Sequence, residues 1–227
     1  MKIEVKEINK VFRTDSVETT ALSNVTFTVN DGDFVAVMGP SGCGKSTLLN
    51  ILGLLDNPTS GSYLLDGNEV GNLKESGRTE YRKGRIGFVF QSFNLIETLT
   101  IRENIMLPLN NLHLPREEKN RRVDEAMRRM GIAHRSGHYP GQLSGGQQQR
   151  AAIARAIVGR PGLILADEPT GNLDSKNGAE VMELLSELHR EGSTIIMVTH
   201  SHKDATYADY IINLFDGQLV ENLNDRM

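Results

Sequence analysis

Charged and apolar residues alternate along the opening stretch "MKIEVKEINK", the period-two pattern of a half-buried strand. "VTFTV" at 25–29 alternates in the same way, "NDGD" at 30–33 has turn chemistry, and "FVAVM" at 34–38 is apolar throughout. Together they predict a strand, a hairpin and a buried strand ending at Gly39. "STLLNILGLL" follows as an apolar helix, and residues 61–90 hold the hairpin-like "GSYLLDG", a polar helical stretch around Arg78 and the strand "IGFVF". From 92 to 160 no convincing strand occurs. Helical segments there are separated by turn residues, with Pro115 opening one, where its missing N–H costs nothing, and Gly131 closing it. The strand "LILAD", the amphipathic helix "AEVMELLSELHR", the strand "TIIMVTH" and the hairpin "IINLFDGQLV" complete the pattern. The order predicts an α/β fold in a single domain, 1–227. Its parallel-sheet core, with an antiparallel β part, spans 1–90 and 161–227, and 91–160 form an inserted helical subdomain. "NLNDRM" reads as a frayed tail.

Composition narrows the class. An apolar share of 38% and a charged share of 24% over 227 residues describe an ordinary globular protein with a core of its own. Lys+Arg at 25 against Asp+Glu at 29 gives a formal charge of -4, which supplies no field to hold a nucleic-acid backbone, so nucleic acid is not expected as a partner. The apolar runs fall far short of the roughly twenty residues of a membrane-spanning helix, and the start lacks the apolar stretch of a secretion signal. The expectation is a cytoplasmic chain that crosses no membrane. A single cysteine, Cys43, excludes an internal disulfide and fits a reducing compartment.

"GPSGCGKST" satisfies G-x-x-x-x-G-K-[ST] between a predicted buried strand and a predicted helix, the context of a phosphate-binding loop. Its residues are Gly39, Pro40, Ser41, Gly42, Cys43, Gly44, Lys45, Ser46 and Thr47. Glycines let the backbone wrap phosphates, the helix start offers unpaired N–H groups, Lys45 neutralises β/γ charge and the Ser46 hydroxyl can ligate Mg²⁺. "LILADE" ends in Asp167, placed to orient the metal's water shell, and Glu168, left to polarise an attacking water. Gln91 after "IGFVF" and His200 after "TIIMVT" point to the same sheet edge, within reach of a γ-phosphate or its water. The N/T-K-x-D element that reads guanine is missing, and Phe12 could stack on an adenine or simply close the small sheet, so ATP is favoured. Helix-terminal N–H groups and Lys45 should favour the Cys43 thiolate, which predicts a reactive thiol shielded by MgATP.

"LSGGQQQR" at 143–150 has no lysine and is not a second complete phosphate loop. Ser144 and Gln147 have capping-box spacing, and "QQQRAAIARAIV" propagates a helix well. An ordinary capped helix explains the stretch taken alone. Gly145, Gly146 and the free N–H groups would also suit a terminal phosphate, and a two-fold dimer would place each chain's incomplete loop over the other's nucleotide.

Taken in order, the phosphate loop, Gln91, "LSGGQQQR", "LILADE", "GNLD" and His200 resemble the ATP-binding cassette ATPases, the nucleotide-binding subunits of ABC transporters, over nearly all of the chain. The resemblance implies a P-loop NTPase (RecA-like) fold, ATP and Mg²⁺ as cofactors, and a homodimer. It gives Phe12 the adenine-stacking place, more often a tyrosine. Gln91 would sense magnesium and the membrane partner, and Ser144, Gly145 and Gly146 would reach the opposite γ-phosphate. Asp174 would link the two sites across the dimer, and His200 would contact the γ-phosphate. "FVFQSFNLIETLTIRENIMLPL" with "LADEPTGNLDS" is similar to the group serving lipoprotein release, macrolide and antimicrobial-peptide efflux, and bacterial cell division. That implies permease partners and a peripheral position on the cytoplasmic face of the membrane. A cell-division-type complex without transported substrate, or a soluble ABC ATPase, are the alternatives. The apolar side chains between Phe93 and Leu109 exceed the needs of a connection. Most should pack inside the helical part, and a few beside Gln91 should form a groove for a short helix of a membrane protein.

Overall fold

The structure, a computed structural model, describes residues 1–13 and 18–220. The tail "NLNDRM" lies outside the described residues.

Two sheets carry the fold. The first is antiparallel, in the order β2(Glu18–Val29)-β1(Ile3–Arg13)-β4(Ser60–Leu65)-β5(Asn68–Glu69). The second has the order β10(Gln218–Val220)-β9(Tyr210–Phe215)-β3(Phe34–Met38)-β8(Thr194–Val198)-β7(Leu163–Asp167)-β6(Ile86–Phe90), parallel throughout except for β10. The helices are α1(Lys45–Leu52), α2(Glu75–Arg82), α3(Ile101–Asn110), α4(Arg116–Arg129), α5(Gly145–Ile157), α6(Ser175–Arg190) and the short α7(His202–Ala205).

Patterning decides which sheet each strand joins. β3 is buried at every position and sits mid-sheet between β9 and β8, as a strand covered on both faces must. β2 alternates because one side of its sheet meets solvent. The expected hairpin across "NDGD" does not form: β2 and β3 belong to different sheets, and the turn carries the chain from one to the other. The same turn chemistry serves either connection, and the all-apolar β3 finds two parallel partners where a half-polar β2 could offer only one side.

Alternation along β3 splits the interior in two. Phe34, Ala36 and Met38 face a core shared with α3, α4, α5 and α6, where Ile105, Met127, Ile153 and Leu185 are buried. Val35 and Val37 face the other core, made with α1 and the antiparallel sheet, where Leu48, Ile3 and Tyr63 are buried. The buried Tyr63 hydroxyl donates to Leu52 O at 2.7 Å, so no polar group is stranded there. Pro115 takes the N-cap position of α4, and Gly131 follows that helix's end at φ 66°, a left-handed value that glycine adopts without strain.

The parallel register sets up the site. Phe90 is level with Asp167, Asp167 with Val198, and Val37 with Val198. The loops that begin at Gly39, Gln91, Glu168 and Thr199 therefore leave one edge of one sheet.

Candidate functional site

Between β3 and α1 the backbone turns through Gly39, Gly42 and Gly44. Gly44 caps α1 at φ 105°, and a Cβ there would strike the Ala21 carbonyl, so only glycine closes this turn. No side chain caps α1 and its first turn holds no acidic residue, which leaves its N–H groups aimed at the loop's hollow. Lys45 is buried, and its Nζ donates to Gly39 O and Pro40 O at 2.8 Å each. A cavity of about 700 Å³ opens here, lined by Gly39–Gly42, Gly44–Thr47, Thr19–Ala21, Glu168, Val198 and His200. Its volume and its cationic, N–H-rich floor fit a nucleoside triphosphate.

Cys43 departs from expectation. Its side chain is 3% exposed and belongs to the core beside Leu214, because the missing Cβ of Gly39 leaves room for the sulfur to turn inward. Its thiol lies under the loop, 3.9 Å from Lys45 Nζ, and is not open to reagents.

Asp167 ends β7 next to the loop. Burial raises its carboxyl above the usual aspartate range and the charge of Glu168 adds to that, while Lys45 and the Ser46 hydroxyl oppose it. Among the described residues no group of three or more His, Cys, Asp or Glu could hold a metal alone. The Ser46 hydroxyl bonded to the Asp167 carboxylate is a pair of hard oxygen donors of the kind that suits Mg²⁺, which takes one or two protein oxygens and fills its shell with phosphate and water. Glu168 is left-handed, at φ 45°, with its N–H on Val198 O at 2.9 Å. A non-glycine residue held there marks a spot where the surroundings fix the backbone. His200, two residues beyond β8, swings toward it, so that its Nδ1 lies 2.7 Å from Glu168 Oε2.

Gln91 sits at the same sheet edge outside the cavity lining. Its Nε2 donates to Asn172 Oδ1 at 3.3 Å and Asn172 Nδ2 returns a bond to Gln91 O at 3.0 Å. Gly171 makes this approach possible, since a Cβ there would crowd the Gln91 amide. Phe12 is 46% exposed and joins neither core; it pairs across the ladder with Thr19, a lining residue, but does not itself line the cavity, and Lys10 Nζ lies 5.0 Å from its ring centroid.

Ser144, Gly145, Gly146 and Gln147 do not line the cavity of their own chain. Ser144 and Gln147 form the capping box that opens α5. Gly146 is buried, and a Cβ on it would collide with the Asn177 amide, so its small size already has a use inside the chain. Asp174 caps α6, accepting from the Lys176 and Asn177 N–H groups; the Asn177 bonds above all pull its carboxyl below the usual range.

Residues 22–171 match the ABC transporter family. The chain belongs to that family. An uncharacterized ABC transporter ATP-binding protein of Methanocaldococcus jannaschii is 48% identical over 222 residues, covering 98% of this chain and 99% of that protein. The macrolide export ATP-binding/permease protein MacB of Chlorobium luteolum is 46% identical over 220 residues, 97% of this chain, which spans only 33% of it. The dimeric post-hydrolysis structure of the ATP-binding cassette MJ0796, bound to ADP and Pi, superposes with a TM-score of 0.89 at 42% identity, covering 96% of this chain and 97% of that one. The fold is thus that of a P-loop NTPase, an ABC ATP-binding cassette.

Other polar residues of the cassette tie its edge together. Gln149, fully buried on α5, donates from Nε2 to Pro169 O at 2.5 Å, beside Glu168. Thr170 Oγ1 donates to Asp204 Oδ2 at 2.5 Å, linking the turn after β7 to the one after β8. Gln149 was open to discovery in the sequence, since it shares the inward helix face of Gly146 and Ile153. Thr170, Asp204 and Asn172 gave no signal, because each is a polar residue in a loop or the short α7 whose partner is remote in sequence.

Proposed function

We propose that the chain is the ATP-hydrolysing subunit of an ABC transporter, a head-to-tail dimer that closes around two MgATP and drives a transmembrane permease of the lipoprotein-release or drug and peptide-efflux type. The observation that carries this is the Glu168–His200 pair at the mouth of a phosphate-loop cavity. A nucleotide bound as MgATP supplies the electrophilic terminal phosphorus. Lys45 would leave its loop carbonyls for the β/γ oxygens, Ser46 and Asp167 would hold the metal, and Glu168 would accept a proton from the attacking water while His200 fixes its carboxylate. Gln91 would exchange Asn172 for the metal's shell. Phe12, across the ladder from the lining residue Thr19, would stack on the adenine.

In this reading residues 91–160 are the helical subdomain and the rest is the nucleotide-binding core. Ser144, Gly145 and Gly146 complete the partner's site, and Asp174 lies between the two sites. Support for a dimer comes from the dimeric MJ0796 cassette. Support for a membrane partner comes from the MacB relatives, which join such a cassette to a permease in one chain. No helix among the described residues is long and apolar enough to cross a membrane. A groove of about 300 Å³ runs beside the edge strand β6, lined by Phe88, Phe90, Asn94, Pro108 and Arg155, and suits a short permease helix next to Gln91. Purification of the tagged chain from native membranes tests the reading: a co-purifying transmembrane subunit is expected. Recovery alone, or with ribosomes or DNA, would overturn the transport role.

A further inference from the structure

We propose that Arg155 is a positioning residue that holds the backbone behind Gln91 in its working shape and ties it to α5. Its guanidinium donates from Nη2 to Phe93 O at 2.8 Å and from Nη1 to Asn94 O. Phe93 and Asn94 both have left-handed backbones, at φ 60° and 49°, a costly conformation for two successive non-glycine residues. This turn brings both carbonyls within reach of one planar fork, a match that a lysine's point charge cannot reproduce.

The cation is otherwise unexplained. Among the described residues no carboxylate lies within ion-pair distance of Arg155, and its hydrogen-bond partners are the two carbonyls. Burial alone acts on it, drawing its pKa down. A guanidinium kept in a poorly solvated place for two carbonyls is an expensive way to hold a loop, and it is one that a change at either carbonyl would release. Both ends of the contact also reach the β6 groove, where Asn94 and Arg155 line the wall together. Earlier on the same helix, Gln149 grips Pro169 O beside Glu168. Helix α5 therefore references the Gln91 segment and the Glu168 turn to one rigid element, which begins at Ser144.

The inference rests on the proposed role of Gln91, and its test separates the two. Arg155→Met keeps the aliphatic stem and removes the fork. In the nucleotide-free variant, amide hydrogen exchange across residues 91–96 should quicken roughly tenfold or more, with exchange elsewhere unchanged. ATP affinity should stay within about twofold of the parent, because the phosphate loop is not touched, while turnover falls roughly tenfold. If Arg155 works through Gln91, adding Arg155→Met to Gln91→Ala should cost nothing further. Unchanged exchange at 91–96 would overturn the proposal, as would additive losses in the double variant. Full turnover in Gln91→Ala alone would instead remove the role given to Gln91, with exchange still deciding whether Arg155 holds the segment. Should Arg155→Met not fold, Arg155→Lys keeps the cation without the fork and should show the same local quickening at smaller amplitude; parent-like exchange there is equally fatal.

Discussion

His200 Nδ1 lies 2.7 Å from Glu168 Oε2, and the two side chains differ sharply in exposure, 69% for the ring and 21% for the carboxylate. The histidine thus reaches in from solvent to a largely covered carboxylate, and with Nδ1 engaged its Nε2 remains for a phosphate oxygen. Glu168→Gln keeps the shape and removes the proposed base. It should bind ATP as the parent does, lose roughly 10²- to 10⁴-fold in turnover and accumulate as an ATP-bound dimer on size exclusion. His200→Ala should also slow turnover, and much less so in the Glu168→Gln background, since residues acting as a unit are not additive. Near-parental turnover in Glu168→Gln would remove it as the base.

Asp167 gives a stability test of opposite sign to most site substitutions. Its folded pKa is raised, chiefly by burial and then by Glu168, so the ionised form is disfavoured in the fold. Stability is lost as pH rises from the unfolded value through the raised folded value, and the deficit is constant above that. Asp167→Asn should therefore raise the Tm of the nucleotide-free chain near neutral pH by about 1–3 °C, and the gain should vanish at pH values acid enough to protonate the residue in both states. MgATP should then stabilise the variant less than the parent, as the metal-holding role proposed for Asp167 requires. A lower Tm without nucleotide would contradict the electrostatic reading.

Cys43 should be inert in the native chain. Maleimide labelling followed by mass spectrometry is expected to be slow, indifferent to MgATP, and rapid only after unfolding. Fast, nucleotide-protected labelling would mean that the loop opens far enough to bring the sulfur out.

Cys43 also shows where sequence reading stops. The loop's chemistry was plain in "GPSGCGKST", since glycines, lysine and serine at those spacings have one common use, and the all-apolar β3 announced a mid-sheet strand. Which way the cysteine turns depends on Gly39 leaving space beneath it, a tertiary fact. "NDGD" misled for a related reason: turn residues state that the chain reverses and leave open which sheet it then joins. The Ser144–Gln147 box was legible because capping is local. Asn172 opposite Gln91, and Asp204 under Thr170, were not, because each partner is placed by the sheet register and has no mark of its own.

In the segment that follows Gln91, Ile96 is 44% exposed, whereas Ile101, Ile105 and Leu109 are buried and Phe93 turns its ring toward Gly145. Ile96→Asp is therefore the informative change. It should weaken recovery of the transmembrane subunit roughly tenfold or more while leaving ATP affinity and Tm unchanged. Undiminished recovery would take Ile96 out of the docking surface, and a lost Tm would show that Ile96 belongs to the core.

The glycine pair in "LSGGQQQR" has two explanations that one pair of substitutions separates. A Cβ on Gly146 would collide with the Asn177 side chain, whose Nδ2 donates to Asp174 Oδ2 at 2.6 Å, so Gly146→Ala should push Asn177 off the cap of α6. Overpacking of this kind costs about 1–3 kcal/mol, visible as a Tm lower by several degrees. Removing the obstacle with Asn177→Ala should recover most of that loss, because the clash is between these two side chains. If Gly146 serves only packing within the chain, ATP turnover should return with stability in the double variant. If its bare backbone also meets the partner's nucleotide, turnover and ATP-driven dimerisation should stay low although the Tm has recovered. A Tm that Gly146→Ala leaves untouched would refute the packing role at the outset.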